Sequence, residues 1–368
     1  MQTIVVSGIN LFMGGTLKVM QDCIAALSAY ARQHNFRIIA LVYDEKLYTP
    51  YDNVQYISFP LSRKSYFHRL YYEYIGFRKL SRQWQPELWL SLHDTTPNVI
   101  AKHRAVYCHN PFPFYRAGWK DLLLQPNIWL LSLLTRHIIY KTNIRKNDYV
   151  IVQQEWIRDA FRRMFGVKNI VVAPPHQPKK TTSTPTPLAK KRSGDKTVFL
   201  YPAGPVVHKN FETLCRAVAL LETQGVDNIE VTITVSGEEN KYTRQLHRKF
   251  GALRSLHFSG FLTRAEMDRL YQTADCLVFP SHVETWGLPI TEAKEHGLPI
   301  LISDLPYARE SVGAYETVSF FKPTDTVALA QKMRAFAEGK LVYDGNTETV
   351  HHEPIVYHWE ELFNLLLR

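Results

Sequence analysis

Two glutamates, Glu284 and Glu292, lie eight positions apart in the stretch HVETWGLPITEAKEHGLP of residues 282–299. The apolar run before them predicts a strand and the run after Gly287 predicts a helix, so Glu284 falls in a loop and Glu292 on the following helix. The amides of residues 285–288 then lie at a helix N-terminus, a favourable place for a phosphate. Since carboxylates accept hydrogen bonds from vicinal hydroxyls, the pattern favours a ligand with hydroxyls on both sides of a pyrophosphate, such as a nucleotide sugar. The alternative is two unrelated surface glutamates.

A basic turn precedes another predicted helix. In YPAGPVVHKNFETL, His208 and Lys209 stand between a strand and a helix that starts near Asn210. A cation beside free helix amides can hold an anion. A solvated lysine is the alternative for this segment taken alone.

Glycines follow the first predicted strand in SGINLFMGGTLKVM, where Gly14 and Gly15 open a helix. Their spacing is not GxGxxG and no P-loop lysine follows, which argues against a dehydrogenase or an NTPase. A phosphate-binding turn and a turn without a ligand both remain open. The chain contains no Asp-x-Asp sequence, so the usual ligands of a metal-bridged pyrophosphate are absent.

The elements that must position these residues alternate between short apolar strands and longer segments of helical period. This alternation is typical of a parallel α/β protein. It stops in residues 174–196, which are rich in Pro, Thr and Lys, and then restarts. We therefore predict two Rossmann-like domains, residues 1–173 and 197–354, joined by a linker at residues 174–196.

Residues 258–310, from FSGFLTRAEMDRLYQ to LISDLPYARE, resemble the donor-binding core of the retaining glycosyltransferases of family four, which have the GT-B fold. The pair Gly14-Gly15 and the HKN of residues 208–210 extend the resemblance to both halves. It implies two Rossmann-like domains facing each other across a cleft. It also implies that the C-terminal helix, residues 355–368, packs back on the N-terminal, acceptor-side domain.

The resemblance assigns roles to individual residues. Glu292 is expected to bind the ribose hydroxyls, Glu284 the transferred sugar and Lys209 the pyrophosphate. Together with Glu284 and Lys209, His109 at the sugar pocket completes the expected catalytic group. The other expected donor-binding residues are the amide-bearing Thr285, Trp286, Gly287 and Leu288, the base-contacting Phe261 and Leu262, and Gly14, Gly15 and His208 near the phosphates.

One feature departs from the family pattern. Members often carry an arginine, in a Gly-Arg pair, a few residues before the phosphate-binding lysine, and here that region reads Ala203-Gly204-Pro205. A substitute cation could come from His208, Lys241 or Arg309.

Charge points to an anionic partner, since the formal net charge is +10 and the pI is near 9.3. Residues 62–84 interleave six Arg and Lys with aromatics, and residues 115–146 join an apolar segment to basic flanks. These surfaces favour contact with an anionic membrane and a saccharide or polyprenyl-pyrophosphate-linked saccharide acceptor. For residues 115–146, simple core packing is the favoured alternative. No nucleic-acid-binding motif is present, so no nucleic-acid partner is predicted.

The location follows from the cysteines and the apolar runs. The four cysteines are widely spaced, which favours a reducing compartment. The first ten residues lack the features of a signal peptide, and the apolar run 122–134 is short and broken by Pro126. We expect a cytoplasmic protein, peripheral on the inner face of the cytoplasmic membrane.

The function implied is a retaining, metal-independent, hexosyltransferase-type glycosyltransferase without a cofactor. It would move a sugar from a UDP- or GDP-linked donor to a glycan or lipid-linked glycan during bacterial O-antigen, capsule or exopolysaccharide synthesis. One alternative is another GT-B enzyme, such as a nucleotide-sugar epimerase. The other is a non-catalytic, basic protein that binds nucleic acid or membrane.

Overall fold

A computed structural model describes residues 1–175 and 196–368. The chain forms two compact units. The first comprises Met1–Pro113, Leu133–Pro178 and His351–Arg368, and the second comprises Phe114–Ser132 and Lys179–Val350. The predicted linker, residues 174–196, lies almost entirely outside the described residues.

The strands of each unit form one parallel sheet. The first sheet has the order β3-β2-β1-β4-β5-β6-β7 and the second β10-β9-β8-β11-β12-β13. Parallel strands are covered on both faces, which explains why they are nearly continuous apolar runs. The strands are β1 Gln2–Gly8, β2 Phe36–Val42, β3 Val54–Ser58, β4 Leu88–Ser91, β5 His103–Cys108, β6 Tyr149–Val152, β7 Ile170–Val172, β8 Thr197–Tyr201, β9 Ile229–Ile233, β10 Leu256–Phe258, β11 Cys276–Phe279, β12 Ile300–Ser303 and β13 Val318–Phe321.

Helices connect most of these strands, as the alternation predicted. The α-helices are α1 Gly14–His34, α2 Tyr66–Tyr71, α3 Phe77–Trp84, α4 Trp119–Leu124, α5 Pro126–Leu134, α6 Glu155–Phe165, α7 Phe211–Thr223, α8 Lys241–Phe250, α9 Arg264–Thr273, α10 Leu288–Glu295, α11 Pro306–Val312, α12 Thr326–Ala337 and α13 Trp359–Leu366. A π-helical turn, Tyr72–Gly76, joins α2 to α3. In the described ranges, no helix combines the length and the apolar character needed to cross a bilayer.

The C-terminal helix α13 lies on the first unit. Its Leu362, Phe363 and Leu366 are buried in the same core as α1 and β1. The Tyr30 hydroxyl on α1 donates to Asn364 Oδ1 at 2.9 Å, and the rings of Tyr30 and Phe363 meet edge to face at 5.4 Å. Burial of this apolar face therefore fastens the end of the chain to the first sheet.

The second unit includes a segment that the sequence placed in the N-terminal domain. The predicted domain of residues 1–173 contains Phe114–Ser132, yet these residues cluster with the second unit. Polar contacts explain the difference, since Gln125 bonds to the loop after β8 and the Lys241 Nζ donates to the Leu123 carbonyl at 2.8 Å. The apolar character of the segment gave no indication of which sheet it would cover.

Truncation of Phe363 tests the packing of α13. Phe363→Ala removes a fully buried ring, and we expect a loss of about 3–5 kcal/mol from the first unit. Differential scanning calorimetry should show a lower melting temperature, whereas Glu360→Ala, an exposed position on the same helix, should leave it nearly unchanged. Equal melting temperatures for both variants would contradict this packing.

Candidate functional site

The loops that follow β8 and β11 meet at one edge of the second sheet. These strands are neighbours and parallel, so their carboxyl ends lie side by side, where ligands bind in open α/β sheets. The loop after β8 ends in a 3-10 turn, Val207–Lys209, and the loop after β11 leads into α10. The His282 amide donates to the His208 carbonyl at 2.8 Å and ties the two loops together.

An ion pair between Lys209 and Glu284 lies at this junction. The Lys209 ammonium donates to Glu284 Oε1 at 2.6 Å, and the two side chains are only 19% and 8% exposed. The sequence assigned these residues to different parts of one ligand, and the structure places them in direct contact. Each compensates the charge of the other in a poorly hydrated place, so the lysine is held at a defined position before any ligand arrives.

The backbone of Lys209 is held from below by buried side chains. The Tyr201 hydroxyl donates to the Lys209 carbonyl at 2.6 Å and lies 2.9 Å from Ser281 Oγ. Asn210 adopts a left-handed conformation, with φ of 56°, and its side-chain Nδ2 donates to the Pro280 carbonyl at 2.9 Å. Asparagine is one of the few residues other than glycine that tolerates this conformation.

The turn before α10 has the form predicted for an anion site. Gly287 has a φ of 82°, and a Cβ there would lie 2.9 Å from Ile290 Cδ1, so the position needs glycine for both conformation and space. In the part of the chain that the structure describes, no protein oxygen accepts a hydrogen bond from the amides of Trp286, Gly287 or Leu288. These donors are therefore open to a ligand. Thr285 is buried beside them.

Glu292 is held on α10 by two side chains of α9. The Tyr271 hydroxyl donates to its Oε2 at 2.7 Å, and the Arg264 guanidinium donates to its Oε1. The hydrogen bond with Glu292 raises the pKa of Arg264. Sequence reasoning missed both partners. Their spacing of seven residues, two helical turns, was the available signal.

Phe261 and Leu262 lie in the loop between β10 and α9. Phe261 is 85% exposed, and Leu262 is half-buried. The loop includes Gly260, whose φ is 75°, and leads through Thr263 into Arg264, the first residue of α9. The chain predicted to contact a base thus adjoins the helix that holds Glu292.

Each of the three candidate substitutes for the missing arginine is either neutral or already bonded to another group of the protein. Burial, with the charge of Lys209 and the nearby His282, lowers the pKa of His208 well below its usual value, so this imidazole is neutral at pH 7. The Lys241 ammonium donates to the Leu123 carbonyl at 2.8 Å. Arg309 pairs with Asp304 at 2.9 Å and lies over the Phe320 ring.

The expected first-unit residues lie at the carboxyl ends of its strands. Gly14 opens α1 with a φ of 66° and free space around the position of a Cβ, and Gly15 follows it in the helix. His109 follows β5, is buried, and has its Nε2 3.4 Å from Asp94 Oδ2. Asp94 also accepts from the His109 amide at 2.6 Å and from the Tyr140 hydroxyl at 2.9 Å. Sequence reasoning missed Asp94, although a run of polar residues after β4 marked the place.

Comparison with known proteins assigns part of the chain to a family. Residues 186–347, which contain the ion pair and the turn before α10, match the family model described as "Glycosyl transferases group 1". This part of the chain belongs to the group 1 glycosyltransferases.

Curated relatives of the chain are distant. Glycogen synthase of Mycobacterium tuberculosis H37Rv is 26% identical over 263 residues, 69% of this chain and 61% of the relative. The serotype-specific mannosyltransferase WbdA of Escherichia coli is 33% identical over 138 residues, 37% of this chain and 17% of the relative. The chain thus spans about three fifths of the length of the glycogen synthase that it matches.

Solved structures match nearly the whole chain. WaaG, a glycosyltransferase involved in lipopolysaccharide biosynthesis, has a TM-score of 0.65 at 15% identity, covering 91% of this chain and 90% of WaaG. Sucrose-phosphate synthase from Thermosynechococcus elongatus has a TM-score of 0.64 at 17% identity, covering 92% and 90%. The two parallel sheets and these matches establish the GT-B fold.

The buried His208 predicts an acid-sensitive fold. Its folded-state pKa is depressed, so its contribution to stability is complete above the unfolded pKa of about 6.5 and declines as pH falls below that value. Stability should therefore be lower at pH 5.5 than at pH 7.5. We expect His208→Gln to show a smaller fall in melting temperature than the wild type between pH 7.5 and 5.5. His137→Gln, at an exposed position, should follow the wild type, and identical slopes for all three proteins would refute the expectation.

Proposed function

We propose that the protein is a retaining, metal-independent glycosyltransferase that moves a sugar from a nucleotide-sugar donor to a saccharide acceptor. The observation that carries this proposal is the Lys209–Glu284 pair beside the open amides that precede α10. A fixed cation and several N–H donors at one place suit a diphosphate leaving group. A carboxylate next to them suits the hydroxyls of the attached sugar.

The leaving group gains negative charge as its bond to the sugar breaks. Lys209 and the amides of Trp286, Gly287 and Leu288 therefore interact more strongly with the transition state than with the donor. Each charge-assisted hydrogen bond is worth about 1.5–3 kcal/mol, so two or three that strengthen during the reaction contribute several powers of ten in rate. Because Glu284 already holds Lys209, little reorganisation is needed at that moment.

The hydrogen bond between Glu284 and Lys209 fits a reaction that retains the configuration of the anomeric carbon. Its Oε1 is bonded to a lysine, which lowers its nucleophilicity and disfavours a covalent glycosyl intermediate. In the proposed reaction the acceptor hydroxyl attacks the anomeric carbon from the face that the diphosphate leaves. The bond from that carbon to the phosphate oxygen breaks, the new glycosidic bond forms, and the hydroxyl proton passes to the departing phosphate.

The donor's nucleoside is assigned to α9 and α10. We place the ribose hydroxyls on Glu292, where they replace the exposed Arg264 while Tyr271 keeps the carboxylate in place. The base then lies along the chain at Phe261 and Leu262. A UDP-linked donor is supported by the structure of HepE from Anabaena, which holds UDP-glucose. A GDP-linked donor is the other candidate, and UDP and GDP together serve as probes.

The acceptor is proposed to be a glycan or lipid-linked glycan of a bacterial surface polysaccharide. WaaG acts in lipopolysaccharide biosynthesis and WbdA is a serotype-specific mannosyltransferase, and both matches support this class. The match to glycogen synthase keeps a storage polysaccharide as an alternative acceptor.

Variants of the two glutamates and the lysine should fail in different ways. Glu292→Ala should weaken binding of UDP or GDP together with turnover, because the ribose is common to donor and product. Glu284→Ala should leave diphosphate binding nearly intact, because the bound diphosphate then compensates the charge of Lys209 and other contacts still hold the loop, while the barrier rises by about 1–3 kcal/mol. Lys209→Ala should damage both. Calorimetry with UDP and GDP, beside diphosphate release from the sugar nucleotide that most stabilises the protein, measures the two effects.

The matched control is Glu295→Ala, an exposed glutamate on the same helix, which should behave as wild type. If Glu284→Ala abolished nucleotide binding and Glu292→Ala spared it, the two roles would be reversed. A wild type that binds neither diphosphate would contradict the proposed function and favour a non-catalytic binding protein. Diphosphate release with no acceptor-dependent product would favour an epimerase.

We also propose that the acceptor side of the protein contacts an anionic membrane through residues 62–84. The one carboxylate of this segment, Glu73, is fully buried between Arg69 at 2.6 Å and His93 at 3.1 Å. Burial alone would raise the pKa of Glu73, but these two partners outweigh it and lower the pKa to about 2. The carboxylate therefore cancels no surface charge, whereas several cations stay exposed, namely Arg63, Lys64, Arg78, Lys79 and Arg82.

Large apolar side chains are exposed among these cations. Phe67 is 83% exposed, and α2 and the π-helical turn also expose Tyr66, Leu70, Tyr71 and Ile75. Such a mixture of aromatic side chains and exposed cations suits the headgroup region of an anionic bilayer. Because the buried Glu73 side chain holds the π-helical turn in place, the exposed side chains of this segment lie on a rigid backbone.

Charge neutralisation tests this contact. Changing Arg63, Lys64, Arg78 and Lys79 together to glutamine should weaken sedimentation with vesicles that contain phosphatidylserine, by about 1 kcal/mol for each cation near the surface. The matched control changes four exposed cations of the second unit, Arg244, Arg248, Lys249 and Arg254, and should sediment as wild type. Equal sedimentation of all three proteins, or no dependence on salt, would count against the membrane contact.

A further inference from the structure

The segment Phe114–Ser132, here called the strap, covers the loop that carries Lys209. It comprises residues 114–118, α4, the connecting Gln125 and the larger part of α5. One side of the strap faces the second unit through polar contacts. The other side exposes large apolar residues, among them Trp119, which is 69% exposed, and Leu123. Neither the family resemblance nor the proposed function assigns a role to the strap.

The side-chain amide of Gln125 forms hydrogen bonds to the loop after β8 through both its nitrogen and its oxygen. Its Nε2 donates to the Pro205 carbonyl at 2.8 Å, and its Oε1 accepts from the Val207 amide at 2.9 Å. The two bonds span three residues of the loop and resemble the pairing of two short strands. A side chain that donates and accepts at once is required, and an amide is the group that does so in this geometry.

The gripped residues are the ones that set the position of Lys209. Val207 is the first residue of the 3-10 turn that ends at Lys209, and the Lys209 amide donates to the Val206 carbonyl at 3.0 Å. Pro205 has no amide hydrogen, so this part of the loop has few backbone bonds of its own. Asn240 adds a second donor to the Pro205 carbonyl, at 2.7 Å. The loop is thus held by side chains from outside it.

The strap has further attachments to the same region. The Lys241 ammonium donates to the Leu123 carbonyl at 2.8 Å, and the Tyr115 ring lies 5.9 Å from the ring of the buried His208. Tyr115 is in turn bonded to Asp121 Oδ2 at 3.1 Å, which fixes the start of α4. Gln125 therefore lies in a segment that has further contacts of its own, in addition to the two hydrogen bonds of the Gln125 side chain.

We propose that Gln125 is a positioning residue for the donor diphosphate. It acts through the turn Val207–Lys209 and keeps the Lys209 ammonium where the phosphates bind. This role rests on the proposed function of the site. The role also explains how the loop works without a second cation. The hydrogen bonds from Gln125 stiffen the loop, so that one lysine and backbone amides are enough to bind the diphosphate without the arginine that family members often have.

The test compares nucleotides with one and two phosphates. Calorimetry with UDP and UMP, and with GDP and GMP, is run on the full chain for wild type, Gln125→Ala and the exposed control Asn127→Ala. We expect Gln125→Ala to lose about tenfold in affinity for the diphosphate and little for the monophosphate. Asn127→Ala should match the wild type. A general loosening of the fold would instead lower both affinities equally, which would overturn the proposal.

A second variant keeps the test decisive if Gln125→Ala folds poorly. Gln125→Glu has the same shape, but its carboxylate cannot donate to the Pro205 carbonyl at neutral pH. Once protonated, it donates and accepts as the amide does. Diphosphate affinity of Gln125→Glu relative to wild type should therefore rise between pH 7.5 and 4.5, since an ordinary glutamate has a pKa of about 4.3 and is partly protonated at the lower value. A ratio that does not change with pH would overturn the proposal.

These outcomes separate the proposal from the function on which it rests. A wild type that binds neither UDP nor GDP contradicts the proposed function itself. A wild type that binds one of them, with Gln125→Ala binding equally well, leaves the function standing and removes the role of Gln125.

Discussion

The ion pair between Lys209 and Glu284 is the interaction on which the architecture of the site depends. Two opposite charges in a poorly hydrated place are tolerable only together, since removing either leaves the other uncompensated. The pair can form because β8 and β11 are adjacent and parallel, which brings their following loops to one edge. Burial, followed by the charge of Glu284, raises the pKa of Tyr201 and of Tyr307, so both stay protonated and donate hydrogen bonds to the loops.

The sequence predicted the parts of this arrangement that are encoded locally. Apolar runs gave the parallel α/β class, and the glycine and proline around Leu288 marked the start of α10. Glu284 and Lys209 were singled out by residue type and position after strands. Their direct pairing was not predicted, because they are 75 residues apart and only the order of the strands brings them together.

The residues that sequence reasoning missed act as partners of the predicted ones. Tyr271 and Arg264 hold Glu292, and Asp94 holds the segment that begins at His109. Gln125 was read only as part of an apolar stretch. A polar side chain gives no sign of its partner when that partner is a backbone group of a distant loop, since any loop offers such groups. Tertiary geometry, rather than composition, selects among them.

These contacts determine the net charge of the protein groups in the site. His208 is neutral and Lys209 is half of an ion pair, so the protein groups around the expected phosphates carry almost no net charge. Attraction to a diphosphate then comes from the Lys209 ammonium at contact distance and from oriented amides, which act over a short distance and only in the correct geometry. A site of this kind binds weakly until every donor is aligned and does not trap its charged product by long-range attraction. Rigid support of the loops therefore promotes diphosphate binding in this site, as additional positive charge does in other anion-binding sites.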